Sequence, residues 1–96
     1  MSRRDDILGR HRAAIRDAAA RGKATSIALA GSVARGTDGP NSDVDLICEW
    51  APDASLFDAS GLLVELEEIL GCTVDISSAR MLEPPYVAMS EDAIQI

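Results

Sequence analysis

The stretch Gly31-Ser32-Val33-Ala34-Arg35-Gly36-Thr37-Asp38-Gly39-Pro40-Asn41-Ser42-Asp43-Val44-Asp45-Leu46 decides how this chain is read. It begins where an uncharged apolar run, Ala24 to Ala30, stops at a glycine and a serine. It ends in two carboxylates one residue apart, at the start of a second run that reaches Trp50. Both runs read as strands, the second over residues 42–50. Residues i and i+2 of a strand face the same side, so Asp43 and Asp45 are expected side by side. Val33 to Gly36 reads as a single helical turn, and Thr37 to Asn41, with its Gly and Pro, as an exposed turn. An antiparallel pair of strands would bring the Gly-Ser turn and the Asp pair to one end of a sheet.

That arrangement has a chemistry. Metal-dependent phosphoryl or nucleotidyl transfer needs anionic oxygens to hold two Mg²⁺ ions about 4 Å apart. Mg²⁺ is a hard cation, so Asp is the expected ligand and His or Cys is not. Asp75, in Val74-Asp75-Ile76, can join Asp43 and Asp45 if its strand lies beside theirs. Gly31 permits close approach of backbone to a ligand. Ser32 offers a hydroxyl and an N–H near the start of a helical turn, which favours anions. Arg35 can meet triphosphate oxygens with its planar fork.

Taken singly, each feature has a plainer explanation. An isolated Asp-x-Asp is usually a solvated strand end, Gly-Ser an ordinary strand-to-helix turn, and Arg35 a partner in a surface salt bridge. Together they weigh more. Gly31-Ser32, ten residues, then Asp43-Val44-Asp45 fixes four identities, a chance match of about one in a thousand in a chain this short. The trio is also costly without a cation. Two unit charges about 4 Å apart repel by roughly 4 kcal/mol at an effective dielectric near 20.

Outward from this centre, residues 4–21 read as one helix, with Ile7, His11, Ile15 and Ala18 on its inner face and Gly22 as its stop. In the second strand, Asp43, Asp45 and Cys48 alternate with Val44, Leu46 and Glu49. A further helix starts at Asp53 or Ser60 and runs to Leu70. Its inner stripe is Leu63, Leu66 and Leu70, its outer residues are Glu65, Glu67 and Glu68, and Gly71 caps it. Cys72 to Ser77 reads as a third strand. After Pro84-Pro85 comes a short helix, Tyr86 to Asp92, and Ala-Ile-Gln-Ile closes the chain as an edge strand. The expected fold is α/β: a small mixed sheet of three to four strands with helices packed mainly on one face, residues 1–96 forming one domain.

The 96 residues allow one small core, and with one Phe, one Tyr and one Trp it must be built from Ala, Leu, Ile and Val. There is no apolar run of bilayer length and nothing like a signal peptide, which points to a soluble, cytoplasmic protein. The net charge of −7 is unevenly spread. Residues 1–23 carry +4 and residues 24–96 carry −11. The acidic body argues against non-specific nucleic-acid binding. The basic first helix is either a solvated face or a contact for an acidic partner. Cys48 and Cys72 read as buried free thiols, His11 as a packing or surface residue, and Tyr86 as a helix residue packed on the sheet rather than a target of self-modification.

The motifs Gly31-Ser32-Val33-Ala34-Arg35-Gly36, Ser42-Asp43-Val44-Asp45-Leu46 and Leu70-Gly71-Cys72-Thr73-Val74-Asp75-Ile76 resemble those of the minimal nucleotidyltransferases of the polymerase-beta-like superfamily. The resemblance runs from about residue 8 to the end, and every motif position is intact. It implies that Asp43 and Asp45 are the metal pair and that Asp75 is the third carboxylate, activating the acceptor. It also implies that Gly31 and Ser32 bind the β- and γ-phosphates, with Arg35 and Ser42 completing the nucleotide site. Members of this family are often antitoxins encoded beside a helical HEPN-domain ribonuclease, and some transfer AMP from ATP to a tyrosine of that toxin. The resemblance therefore implies a Mg²⁺-dependent transfer of AMP from ATP to a protein hydroxyl in a type VII-like toxin–antitoxin pair. The chain has no room for an acceptor-binding domain, so the acceptor must come from a HEPN-type partner or a second copy. Two alternatives stay open: an antitoxin that neutralises by contact alone through its acidic face, and a small-molecule nucleotidyltransferase of the aminoglycoside type.

Overall fold

The uncharged run forms β1 (Ala24–Ala30), and the run after the Asp pair forms β2 (Val44–Trp50). A computed structural model describes residues 2–78 and 93–96 of the chain. In it β1 and β2 are antiparallel as expected, with Ala30 opposite Asp45 and Leu29 opposite Leu46. Between them lies α3 (Gly31–Arg35), closed by Gly36 in the left-handed conformation. β3 (Val74–Ser78) runs parallel to β2, as a helical crossover allows, and β4 (Ile94–Gln95) pairs antiparallel with β1. The sheet is four-stranded and mixed, in the order β3-β2-β1-β4.

Along β2, Val44, Leu46 and Cys48 are fully buried, and they share a face with Ile27 and Leu29 of β1 and Val74 of β3. Two helices contribute to that core. Ile15, Ala18 and Ala19 come from α2 (Arg12–Arg21), and Leu62 and Leu66 from α4 (Leu56–Leu70). Burying one such Leu or Ile contributes about 1.5–3 kcal/mol, so this single layer accounts for most of the fold's cohesion.

Several expectations need correction. The helix over residues 4–21 is two helices, α1 (Arg3–Leu8) and α2, broken at residues 9–11. Gly9 is the weak point, since glycine has the greatest backbone freedom to lose, and its φ of −107° and ψ of −89° leave the helical region. His11 is the N-cap of α2 rather than an inner residue of a continuous helix. β2 begins at Val44, so Asp43 precedes the strand in the connecting loop. Cys48 belongs to the buried face of Val44 and Leu46, and exposed Glu49 to the face of Asp45, the reverse of the assignment made from sequence. In α4 the fully buried positions are Leu62 and Leu66, an i, i+4 pair, while Leu63 and Leu70 only flank the core.

The start of α4 falls between the two positions considered. Ser55 and Asp58 form a capping box there: Ser55 N–H donates to Asp58 Oδ2 at 2.8 Å, and Asp58 N–H donates to Ser55 Oγ at 3.3 Å. Gly71 ends the helix in the left-handed conformation, as its position predicted. Both cysteines are free thiols, and burial pushes Cys48 up to about 12. The helix expected over residues 86–92, which includes Tyr86, and the Pro84-Pro85 pair before it lie outside the described residues. Among the described residues no helix is long and apolar enough to cross a membrane.

Candidate active site

The site forms where the C-terminal end of β1 meets the N-terminal ends of β2 and β3. β1 turns abruptly into α3 at Gly31, whose φ of +67° disfavours a side chain. A Cβ at position 31 would collide with Asp45 Oδ2 and stand 3.0 Å from Asp45 Cγ. The half-buried Asp45 carboxylate therefore lies directly over the Gly31 backbone, held there by the register of Ala30 with Asp45. The parallel register sets Asp75 beside Asp45 on the adjacent strand. Asp43 and Asp75 are exposed and Asp45 is not, so one carboxylate is anchored between two that reach into solvent.

The electrostatics of Asp45 report the same neighbourhood. Its pKa is raised, first by burial, then by the charges of Asp75 and Asp43, with Arg35 opposing. Desolvation and like charge both disfavour the ionised form. Two further carboxylates and one guanidinium are thus within electrostatic reach of Asp45, which itself lies over the Gly31 backbone.

The donor set suits Mg²⁺: three carboxylates, with no His or Cys among them. Among the described residues no group of three or more His, Cys, Asp or Glu side chains is already gathered as a metal cage. Mg²⁺ does not require one. It keeps several waters and binds through one or two carboxylates plus substrate phosphates.

The other expected residues are placed as follows. Ser32 is half-buried in the first turn of α3, and its carbonyl accepts the Thr37 N–H at 2.9 Å. Arg35 is exposed at the far end of the same helix. Ser42 Oγ accepts the Gly39 N–H at 2.9 Å, so its oxygen folds the loop while its own proton stays available to donate. A cavity of about 620 Å³ is lined by Asp75 together with Trp50, Leu56, Leu63 and Ile76, and among the described residues no Lys or Arg lines it. Gly31, Ser32 and Arg35 lie outside its lining, on α3.

Sequence reasoning missed three residues that shape the site. Glu67 of α4, expected outside, accepts the Val74 N–H at 3.1 Å and so fixes the start of β3 next to Asp75. Its place one turn after Leu63, at the border of the apolar stripe, was the available signal. Arg3 and Arg4 of α1 reach the loop before Asp43 and the end of α3. No local pattern signals those contacts, which span 39 and 30 residues of chain.

A mixed sheet, a short Gly-Ser helix and carboxylates on neighbouring strands define a nucleotidyltransferase core. The sequence profile of the nucleotidyltransferase domain family matches residues 11–94, and the chain belongs to that family. It is 36% identical over 95 residues to "Putative protein adenylyltransferase MJ1379" of Methanocaldococcus jannaschii, covering 95% of this chain and 92% of that one. A solved structure described as a "putative minimal nucleotidyltransferase" is 34% identical with a TM-score of 0.84, covering 100% of this chain and 97% of that one. A toxin–antitoxin crystal structure with AMP-PNP shares the fold at 24% identity and a TM-score of 0.69, covering 84% of this chain and 68% of that one. The chain is a nucleotidyltransferase, as the motifs implied.

Proposed function

We propose that this enzyme transfers AMP from ATP to a hydroxyl of a partner protein and thereby acts as the antitoxin of a toxin–antitoxin pair. The observation that carries the reading is the carboxylate trio around Gly31: Asp45 anchored on the turn, with Asp43 and Asp75 beside it. A relative that covers nearly the whole chain is described as a protein adenylyltransferase, and a toxin–antitoxin with AMP-PNP shares the fold, which supports both the donor and the kind of partner.

In this reading Asp43, Asp45 and Asp75 would hold Mg²⁺, two ions in all, which would supply charge neutralisation of the triphosphate and a lowered pKa for the attacking hydroxyl. Gly31 and Ser32 receive the β- and γ-phosphates on backbone N–H and hydroxyl donors. Arg35 and Ser42 supply further donors to the nucleotide. The acceptor oxygen attacks the α-phosphorus, a new P–O bond forms, and the bond to the bridging oxygen breaks to release pyrophosphate. Asp75, exposed and beside Asp45, takes the hydroxyl proton. The acceptor in this reading is a tyrosine of a helical HEPN-domain ribonuclease, the kind of partner that the likeness to a toxin–antitoxin structure supports. Residues 1–96 act as one cytoplasmic domain that binds no nucleic acid directly and assembles with its toxin.

The test is incubation with labelled ATP, Mg²⁺ and the product of the neighbouring gene. Label should appear on the partner with wild type and disappear with Asp43→Asn. No transfer to any partner with any nucleotide would overturn the reading. The −11 carried by residues 24–96 favours one second reading, neutralisation by contact alone. In that case Asp43→Asn would protect against the toxin as well as wild type does.

A further inference from the structure

The basic groups of the first helix do not all face solvent. Arg3 turns its guanidinium back onto the loop between α3 and β2. Its Nη1 donates to the Ser42 carbonyl at 2.6 Å, its Nη2 to the Pro40 carbonyl at 3.4 Å, and its Nε lies 3.9 Å from Asp38 Oδ2. One side chain thus grips three positions of a segment that has no regular secondary structure. Arg4, the next residue, donates from Nη1 to the Ala34 carbonyl at 3.3 Å, near the last turn of α3. α1 therefore touches both the Gly-Ser helix and the loop that leads to the Asp pair. It is itself fixed by Ile7, which is 1% exposed, and by the Ser2 cap.

The consequence for Asp43 follows from connectivity. Ser42 is the residue immediately before it, and Asp43 is exposed and precedes β2. Asp45 is fixed by its strand and by Gly31, whereas Asp43 is held by the sheet on its C-terminal side alone, where the Val44 N–H donates to the Thr73 carbonyl at 3.0 Å. Loop bonds fold the turn, from Ser42 N–H to the Gly39 carbonyl and from Gly39 N–H to Ser42 Oγ, but neither ties the loop to the rest of the molecule. The grip of Arg3 does.

We propose that Arg3 is a positioning residue of the nucleotidyl-transfer site: it clamps residues 38–42 from α1 and so sets the direction from which Asp43 meets the cation and the nucleotide. The proposal rests on the reading of Asp43 as a metal ligand. A planar guanidinium spans two carbonyls and a carboxylate at once, and an ammonium cannot reproduce that fork. Groups that orient metal ligands typically change metal affinity or activity by about 10–100-fold when removed.

The test is Mg²⁺-ATP binding by the whole chain, read by calorimetry, so that it does not depend on knowing the acceptor. Arg3→Ala should weaken binding by about 10-fold or more, while Arg3→Lys should recover only part of the loss. Arg16→Ala, which removes the same charge from an exposed position on α2, should bind like wild type. In an Asp43→Asn background, Arg3→Ala should add nothing, because its effect passes through Asp43. Thermal melts in metal-free buffer identify any variant that has simply unfolded, and Arg3→Lys then decides the matter. A wild-type affinity in a folded Arg3→Ala, or an equal loss in the Asp43→Asn background, would overturn the role of Arg3 while leaving the site intact. A wild type that binds no Mg²⁺-ATP would overturn the reading of the site and the role of Arg3 with it.

Discussion

An alanine at position 31 would carry two separable penalties. The first is conformational. Gly31 has φ +67°, where an L side chain costs about 1–2 kcal/mol. The second is steric. The new Cβ would collide with Asp45 Oδ2 and stand 3.0 Å from Asp45 Cγ and 3.1 Å from Asp45 Cβ. Turning the carboxylate moves its oxygens, but Cβ is fixed by β2, so the strain has to be relieved by shifting backbone, at about 1–3 kcal/mol. Gly31→Ala should therefore cost about 2–5 kcal/mol in total. Gly71 supplies the control: its φ is also +67°, yet an added Cβ would meet nothing within 4 Å. Gly71→Ala should cost the conformational penalty alone, about 1–2 kcal/mol. Urea unfolding of both variants measures the difference. Repeating Gly31→Ala in an Asp45→Ala background removes Cγ and both oxygens, so the cost should fall towards that of Gly71→Ala. A Gly31→Ala no worse than Gly71→Ala, or one whose cost is unchanged without the Asp45 carboxylate, would refute the packing described for this turn.

Other outcomes follow from the same structure. The raised pKa of Asp45 means that its ionised form costs stability at neutral pH, and the cost is relieved as pH falls through the folded-state pKa. Asp45→Asn in EDTA should thus be more stable than wild type at pH 7, with the gain shrinking towards zero below about pH 4 in pH-resolved urea titrations. The Asp58 pKa is lowered, first by the Ser55 N–H, so its contribution is present at neutral pH and lost as pH falls through the folded-state pKa. Ser55→Ala should cost about 1 kcal/mol by loss of the cap, seen as a lower urea midpoint. Leu66→Ala, at a position that is 0% exposed, should cost about 2–5 kcal/mol in the same assay. Saturation with Mg²⁺-ATP at about 100 times its Kd should stabilise wild type by about 2.7 kcal/mol in thermal melts, and the same concentration should stabilise Asp43→Asn by less.

The sheet was legible because its strands carry the apolar runs. β1 falls where the uncharged residues 24–30 predict it, and β1 pairs antiparallel with β2, as expected if the Gly-Ser turn and the Asp pair are to meet at one end. The grouping of Asp45 with Gly31 was readable from spacing, since strand register converts a sequence interval into a place on a sheet edge, whereas Asp75 was expected there only on the condition that its strand lay beside β2, as β3 does. What failed did so where tertiary contacts compete with local pattern. Ile7 and Ile15 keep a helical period across residues 9–11, yet the glycine breaks the helix and lets α1 turn towards the loop. The faces of Cys48 and Glu49 were reversed because a thiol and a carboxylate one residue apart gave no clear alternation, while the buried set Val44, Leu46 and Cys48 obeys the strand period strictly. Arg3 and Arg4 act across sequence distances at which composition and periodicity are silent.

These misses expose a division within the carboxylate trio. Asp45 is the costly member: half-buried, flanked by like charges, and constrained by a glycine that leaves no room for anything else. Its position is bought with desolvation, and in return it is rigid. Asp75 is exposed but lies in a parallel ladder whose first residue is pinned by Glu67. Asp43 is exposed and precedes the ladder, so the chain leading to it has to be held from its N-terminal side, and Arg3 of α1 reaches that segment at Asp38, Pro40 and Ser42. The basic character of the first helix is then explained in part without an acidic partner. Arg3 and Arg4 are spent within the chain, on carbonyls and on Asp38, and only the remaining cations of residues 10–23 are left to meet a partner or to pair, as Arg21 does with Glu65 and Lys23 with Asp53.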